Sequence, residues 1–392
     1  MSEINASNFK KEHGDLAPDL VGVSELTSPY FFVPPSGTTA ERPENCEPGT
    51  LRFNTDIGTL EVFRGKTIGW EQIVKRESQY LGGGTGSNTG TGARGVFFGG
   101  APSNNAAIDF ITISTLGNAG DFGDMASHRV QGAAAGSHTR GLYAGGEAPS
   151  IVNTIEFITF SSTGDATNFG DIVTNQYRRM NGMGCGNQTR GLFNGGYTGS
   201  SGGTVNTIDL VTIASTGNAN DFGDTTQRTE SGSCFASPTR GFIFGGRQQP
   251  ANSTLGNIDF VTIATTGNAH DFGDMTVTRF ATQSCSNSIR GVSFAGGVSP
   301  GGKGKVIDFV TMATLGNSIN FGEIDADNSY PLGAMASPVR GILGGGYLSP
   351  SGNTNVIQYV QIMTQGDAGD FGDLTAAKGE ASGCSNGHGG LG

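Results

Sequence analysis

A repeat that occurs six times constrains the fold of this chain more than any other feature. Each copy starts with Arg-Gly, continues with a short apolar run and reaches Gly-Gly. A strand-like run such as Ile258–Ile263 follows, and then Phe-Gly and an acid. The step between successive arginines is 46 residues once and 50 residues four times, a period that indicates a repeat array. The arginines are Arg94, Arg140, Arg190, Arg240, Arg290 and Arg340.

The composition of the 392-residue chain suits an all-β array. It contains 67 glycines and only 15% charged residues, which fits many tight turns between β-branched strands. Each repeat carries four strand signals, and no segment has the 3.6-residue apolar period of a helical solenoid. In the third copy these signals lie at Gly182–Gly186, Leu192–Phe193, Ile208–Ala214 and around Asp221–Phe222.

The two ends of the array predict that it closes. The array opens at Arg94 with a second strand, and its last segment, Ala381–Asn386, reads as a first strand. A linear solenoid would leave both edges exposed, whereas a ring lets the last strand complete the first unit. We therefore predict a six-bladed β-propeller over residues 94–392 that is closed by a C-terminal strand.

The residues before the array divide into three predicted segments. Residues 1–48 are rich in proline and predict an extended arm. Residues 49–80 predict a β-hairpin module with a third strand near Trp70, the only tryptophan. Residues 81–93 predict a Gly-rich linker. Because so small a sheet is barely stable alone, we expect the module to pack on something else.

The repeat resembles the kelch repeat of β-propellers. The kelch blade has a Gly-Gly pair after its second strand and an aromatic anchor near its fourth. Phenylalanine stands here where the kelch pattern usually has tryptophan, so the resemblance implies a divergent, kelch-like propeller. The matching residues are Gly145-Gly146, Gly195-Gly196 and Gly245-Gly246, with Phe169, Phe222 and Phe272 as the anchors.

Two further stretches resemble phage proteins. The signature Thr-Gly-Asn-Ala-x-Asp-Phe-Gly-Asp, at Thr216–Asp224 and Thr266–Asp274, resembles repeats in structural proteins of marine tailed bacteriophages, including cyanophages. The stretch from Pro48 to Trp70 resembles small β-modules of phage tail and fibre proteins.

These resemblances imply a virion structural protein that is assembled in the host cytoplasm. Residues 1–80 would dock to other virion proteins, and the propeller would face outward for decoration or host attachment. A host-surface glycan or protein is the expected outer partner, and a homo-oligomer in the particle is a further expectation. The alternative is a kelch-type adaptor that joins proteins inside the cell.

The charged residues of the repeat favour a structural role over a binding role. They recur in every copy, whereas a binding site usually breaks symmetry, so we predict Arg–carboxylate pairs that tie neighbouring strands or blades. The alternative is a ring of charge that binds a ligand. The predicted pairing residues are Arg140, Arg190, Arg240, Arg290 and Arg340, with Asp124, Asp171, Asp224, Asp274 and Asp373.

Motifs for catalysis or for metal binding are weak. The acid pair Asp221/Asp224 could serve as acid and base or as calcium ligands, but equivalent first positions carry Asn168 and Asn320. The five histidines form no zinc motif. Cysteines in the repeat interchange with Ala and Met, which indicates core packing. We expect no enzyme activity, no cofactor and no metal.

Charge and hydropathy argue against two classes of partner. The net charge is −11 and lysines and arginines are not clustered, so no nucleic-acid partner is expected. No run of 18 apolar residues exists, so no membrane insertion is expected.

The connections between second and third strands are where the six copies differ most. Variable loops on one face of a rigid scaffold often carry recognition, although relaxed constraint on a solvent face would also produce them. The candidate recognition residues in these loops are Tyr197, Arg247, Lys303, Lys305 and Tyr347.

Overall fold

A computed structural model describes residues 34–43, 45–56, 58–67, 69–72, 93–102, 105–147, 149–173, 182–199, 203–298, 302–348 and 350–391. The chain divides into two compact units, residues 1–75 and residues 76–392. The described residues form 28 β-strands, nearly all in antiparallel sheets, and two short 3-10 helices. The expected all-β class is therefore confirmed.

Unit 1 is a four-stranded sheet in the order β1-β2-β3-β4. The expected hairpin and third strand are present, and residues 34–43 of the expected arm join them because β1 pairs in parallel with β2. The rest of that arm before residue 34 and most of the expected linker lie outside the described residues. The strands are β1 Ser36–Gly37, β2 Leu51–Asn54, β3 Thr59–Phe63 and β4 Trp70–Gln72, with a 3-10 helix at Thr39–Glu41.

Unit 2 contains six four-stranded units, here named repeat sheets 1 to 6. Repeat sheet 1 has β5 Arg94–Phe98, β6 Ala107–Thr112 and β7 Gly120–Asp124, completed by the last strand, β28 Ser382–Ser385. Repeat sheet 2 has β8 Ala133–Gly136, β9 Arg140–Ala144, β10 Thr154–Thr159 and β11 Thr167–Asp171. Repeat sheet 3 has β12 Gly184–Gly186, β13 Arg190–Asn194, β14 Thr207–Thr212 and β15 Asn220–Asp224.

Repeat sheets 4 to 6 have longer second and third strands. Repeat sheet 4 has β16 Ser233–Ala236, β17 Arg240–Gln248, β18 Ser253–Thr262 and β19 His270–Asp274. Repeat sheet 5 has β20 Gln283–Ser286, β21 Arg290–Val298, β22 Gly302–Thr311 and β23 Ile319–Ser329. Repeat sheet 6 has β24 Gly333–Ala336, β25 Arg340–Leu348, β26 Gly352–Gln361 and β27 Gly369–Asp373. The end of β23 pairs with β25, which joins repeat sheets 5 and 6.

Each repeat sheet has two distinct sides. Its second strand turns into its third on the side that we call the hairpin side, and the fourth strand leaves for the next sheet on that side as well. The first-to-second and third-to-fourth turns lie on the opposite, turn side. The first strands β8, β12, β16, β20, β24 and β28 contact one another in that order, and β28 also contacts β8.

Neighbouring repeat sheets meet through a close contact of two glycines. Gly223 of one sheet lies so near Gly267 of the next that a Cβ on Gly223 would lie 2.5 Å from the Gly267 carbonyl oxygen. The Gly267 amide donates to the Phe222 carbonyl at 2.8 Å. The same contact joins repeat sheet 6 to repeat sheet 1, where the Gly117 amide donates to the Phe371 carbonyl at 2.9 Å. Glycine in both motifs therefore permits close packing of the backbones.

Side chains of each first strand pack against the glycine of the Arg-Gly motif in the following repeat sheet. A Cβ on Gly241 would lie 3.1 Å from the Cys185 sulphur, and one on Gly341 would lie 2.8 Å from the Cys285 sulphur. Both cysteines are buried and free. Burial raises the pKa of the Cys285 thiol to about 12, so this side chain packs as a small apolar group.

Buried ion pairs form a second link between neighbouring repeat sheets. The cation follows the fourth strand of one sheet, and the acid lies on the third strand of the next. Burial lowers the pKa of Arg279 and Lys378, and the partner carboxylates oppose that shift. The pairs are Arg129–Glu156 at 2.9 Å, Arg279–Asp308 at 2.6 Å and Lys378–Asp109 at 3.3 Å, the last of which joins repeat sheet 6 to repeat sheet 1.

Candidate functional site

The repeated arginines bind backbone carbonyls of the next repeat sheet. Arg140 Nη1 donates to the Ile213 and Ala214 carbonyls at 3.0 and 2.9 Å, and its guanidinium lies 4.6 Å from the Phe157 ring centroid. Arg340 Nη1 donates in the same way to the carbonyls of Ile113 and Ser114. Arg190, Arg240 and Arg290 repeat the pattern. The inter-sheet role expected for these arginines is present, but carbonyls take the place of the expected carboxylates.

The five predicted aspartates of the Phe-Gly-acid motif bond to the next sheet through their backbone amides. The Asp224 amide donates to Asn268 Oδ1, and the Asp373 amide donates to Asn118 Oδ1, both at 3.0 Å. The amides of Asp124, Asp171 and Asp274 make equivalent bonds to the next sheet. Within the described ranges, these carboxylates form no ion pair with the repeated arginines, which corrects the predicted pairing.

The first strands enclose a cavity of about 40 Å³. Its lining consists mainly of small side chains from all six first strands, including Cys185, Cys234 and Ala334. The volume has room for only a few water molecules.

The segment after β28 covers this cavity on the turn side. His388 Nε2 donates to the Gly136 carbonyl at 2.8 Å, while Nδ1 accepts from the Gly390 amide at 3.2 Å. The 3-10 helix Gly389–Leu391 follows, and Gln188 Nε2 donates to the Leu391 carbonyl at 3.1 Å. Burial lowers the pKa of His388 to about 4, so the ring is neutral near pH 7.

Three predicted recognition residues occupy one repeat position on the hairpin side. Tyr197, Arg247 and Tyr347 each follow a Gly-Gly pair directly. Tyr197 forms a bridge with Thr204 in its own sheet. Tyr347 belongs to β25 and is 42% exposed.

The other two predicted residues lie on the long hairpin of repeat sheet 5. Lys303 Nζ lies 3.9 Å from the centroid of the Tyr347 ring, so these two predicted residues meet. Partial burial lowers the pKa of Lys303, and the charge of Asp327 opposes this shift. Lys305 instead pairs with Glu323 of its own sheet at 2.5 Å, where both side chains are exposed. In repeat sheets 4 to 6 the segments expected as loops are therefore largely strand.

Larger side chains meet near the starts of the first strands, also on the hairpin side. We call Glu230, Arg247, Phe280, Tyr330, Glu380 and Gln131 the mouth cluster. Arg247 Nε donates to Glu230 Oε1 at 3.0 Å, and the Arg247 guanidinium lies 4.8 Å from the Phe280 ring centroid. The rings of Phe280 and Tyr330 meet edge to face at 6.0 Å.

The cluster continues across the remaining sheets by hydrogen bonds. The Glu380 amide donates to the Tyr330 carbonyl at 3.1 Å, and the Gln131 amide donates to the Glu380 carbonyl at 2.6 Å. Gln131 Nε2 also donates to Glu380 Oε2 at 3.0 Å. These six residues therefore connect the entrances of repeat sheets 4, 5, 6, 1 and 2.

Sequence reasoning selected only Arg247 from this cluster. The missed signal is periodic, because Glu230, Phe280, Tyr330 and Glu380 recur at steps of 50 residues. The recognition residues predicted from the sequence lie in the second-to-third-strand loops, whereas these four residues precede the first strands.

In the part of the chain that the structure describes, no group of three or more His, Cys, Asp or Glu residues is arranged to hold a metal ion. None of the helices in that part is long and apolar enough to cross a membrane. No protein-family model matches the chain, and no curated protein is significantly similar to it.

Proposed function

We propose that unit 2 is a six-bladed, kelch-like β-propeller closed by β28, and that the protein is a structural protein of a tailed-phage virion. Unit 1 docks to other virion proteins, and the propeller faces outward for host attachment or decoration. The observation that carries the proposal is the combination of six closely similar repeat sheets with a small separate unit whose exposed face is apolar.

Contacts between repeat sheets 6 and 1 support closure. The pairing of β28 with β5 supplies the first strand that repeat sheet 1 would otherwise lack. The Lys378–Asp109 ion pair and the Arg340 bond to the Ile113 carbonyl repeat there the links found at internal junctions. A junction that reuses the internal contacts gives repeat sheets 1 and 6 a neighbour on both faces, as in a closed propeller, where only short, protected sheet edges remain.

The sheet of unit 1 supports a docking role because polar side chains are buried on one of its faces, whereas a sheet usually buries its apolar face. Arg52, Asn54 and Glu61 are buried on one face. Glu61 accepts hydrogen bonds there from Arg42 and from Asn54 Nδ2. The residues between them along the strands, Leu51, Phe53, Leu60 and Val62, therefore share the other face.

Two leucines of that apolar face are partly exposed. Leu51 is 47% exposed and Leu60 is 38% exposed, and Phe53 lies opposite Leu60. An exposed contiguous apolar patch marks an interaction surface. A virion protein seated on this face would also explain how so small a sheet remains folded.

The small central cavity favours a structural protein over a channel enzyme. A cavity of about 40 Å³ is far below the roughly 300–1,000 Å³ of ordinary ligand pockets. Function on the propeller would then belong to its surface.

Incorporation into particles tests this proposal. Mass spectrometry of purified phage particles should detect the full chain, and the double variant Leu51→Asp, Leu60→Asp should be absent from particles while remaining folded. The matched control is Leu315→Asp, which changes a leucine of unit 2 that is 64% exposed and should leave incorporation unchanged. Normal incorporation of the double variant would refute docking through this face. Recovery of the wild-type chain only in cellular protein complexes would instead favour the adaptor.

A further inference from the structure

We infer that the mouth cluster binds an uncharged pyranose sugar of a surface glycan. The inference rests on the proposed function, because display on a particle is what brings the hairpin side to a host surface. We place the contact site at the centre of the hairpin side, whereas Tyr347 and Lys303 form a separate contact on the long hairpins.

The composition of the cluster suits a sugar. A pyranose ring presents an apolar face of C–H groups and an edge of hydroxyl groups. Phe280 and Tyr330 offer an aromatic surface for the apolar face, and both are half-buried so that part of each ring remains accessible. Glu380 and Gln131 lie beside them as acceptor and donor for hydroxyl groups.

Charge balance excludes an acidic sugar as the favoured ligand. Arg247 is the only cation in the cluster, and its charge is already matched by Glu230 at 3.0 Å. Glu380 then leaves the cluster with one net negative charge. A carboxylate or sulphate group would meet repulsion from Glu380, whereas neutral hydroxyl groups would not.

The cluster is also held in a strained, fixed arrangement. Tyr330 has φ +51° and Gln131 has φ +58°, a backbone region that side-chain-bearing residues rarely adopt. The same backbone conformation recurs at Ser231 and Ala281, so it is a feature of the repeat that fixes the direction of the side chains at this position. Fixed aromatic groups lose little conformational freedom when a ligand binds.

The floor below the cluster keeps the ligand at the surface. Gln283, which is buried in β20, donates from Nε2 to the Ala381 carbonyl at 3.0 Å. Its amide also lies within 3 Å of the position that a Cβ on Gly182 would occupy. Because Gln283 thus reaches towards two other sheets, we place the sugar across the mouth and outside the central cavity.

A glycan array tests the inference with the labelled full-length protein. We expect binding to neutral glycans, weakened at least tenfold by Phe280→Ala and by Tyr330→Ala. Glu380→Gln should weaken binding less, because it keeps the shape of the side chain but removes its charge. Tyr347→Ala is the control, since this tyrosine is exposed on the same side outside the cluster. Circular dichroism of each variant separates lost binding from lost folding, and Tyr330→Phe provides a variant that keeps the ring in place.

The outcomes separate this inference from the proposed function. Absence of binding across the array, binding to acidic glycans alone, or loss of binding in Tyr347→Ala with retention in Phe280→Ala would each overturn the mouth assignment. All three results leave a particle component in place, because incorporation is measured independently. A chain that binds these glycans through Phe280 but is absent from particles would overturn the virion proposal alone.

Discussion

The glycine contact between repeat sheets 6 and 1 allows closure to be tested by two single substitutions. Gly372 and Gly117 both have φ +148°, so alanine at either position costs roughly 1–3 kcal/mol of backbone strain. The two positions differ in the room available for a side chain. A Cβ on Gly372 would lie 2.5 Å from the Gly117 carbonyl carbon and oxygen, while a Cβ on Gly117 would meet nothing within 4 Å. The blocking atoms belong to the backbone, so the clash cannot be relieved by rotating a side chain.

The expected magnitudes follow from this difference. Gly117→Ala should lower the free energy of unfolding by about 1–3 kcal/mol from strain alone. Gly372→Ala should lose about 1–3 kcal/mol more, which is the usual cost of forcing extra atoms into a packed interface. The internal contact provides the reference, since Gly223→Ala and Gly267→Ala have the same relationship between repeat sheets 3 and 4.

Urea unfolding followed by far-UV circular dichroism is the suitable assay. Trp70 is the only tryptophan and lies in unit 1, so its fluorescence would report on the wrong part of the chain. If Gly372→Ala were no worse than Gly117→Ala while Gly223→Ala remained worse than Gly267→Ala, the sixth and first sheets would not be packed together. That pattern would refute the closed ring.

Three further predictions concern buried charge. Folding lowers the pKa of His388 from 6.5 to about 4, so the contribution of the neutral ring to stability is complete above pH 6.5 and is lost as the pH falls towards 4. In urea titrations, the free energy of unfolding of the wild type should fall by up to about 2 kcal/mol between pH 6.5 and 5, whereas that of His388→Gln should stay constant. Equal pH profiles for the two proteins would contradict this. Arg279→Asn should lower the free energy of unfolding by about 3–5 kcal/mol because it leaves Asp308 buried and unpaired. Adding Asp308→Gln should restore part of this stability in urea unfolding. A double variant no more stable than the single one would argue against the pair. The hydrogen bond from Arg42 lowers the pKa of Glu61, so the contribution of this carboxylate to the stability of unit 1 is present above pH 4.5 and lost as the pH falls below it. Arg42→Met should destabilise unit 1 even at pH 7, which the fluorescence of Trp70 would report. Unchanged unfolding would show that Glu61 does not need this partner.

The sequence predicts the regular part of the fold well because backbone geometry repeats with it. Four strand signals per copy correspond to four strands, and the offset between the first and last copies corresponds to the pairing of β28 with β5. The long hairpins were harder to foresee. Segments such as Gly302–Lys305 contain glycine and charge, which suggest a loop, yet they extend β22 because they pair with the end of β21.

Side-chain partners could not be predicted from the repeat alone. An arginine and an acid that recur in every copy give the same sequence pattern whether they bind each other or bind backbone groups. Arg140 reaches carbonyls that leave no mark in the sequence, because every residue has one. The mouth cluster was missed for a different reason. Phe280 and Tyr330 keep the 50-residue step but change in residue type from copy to copy, and only the fold brings their rings together.

The pairing of β28 with β5 also sets the order in which the chain can fold. Ser382 and Phe98 are partners although nearly the whole of unit 2 separates them in sequence. Repeat sheets 2 to 6 can form from contiguous segments, but repeat sheet 1 must wait for the segment that supplies its first strand. Contacts between such distant segments slow folding. Once made, the same contact must break before the sheets can separate, so we expect slow unfolding and long persistence of the folded form.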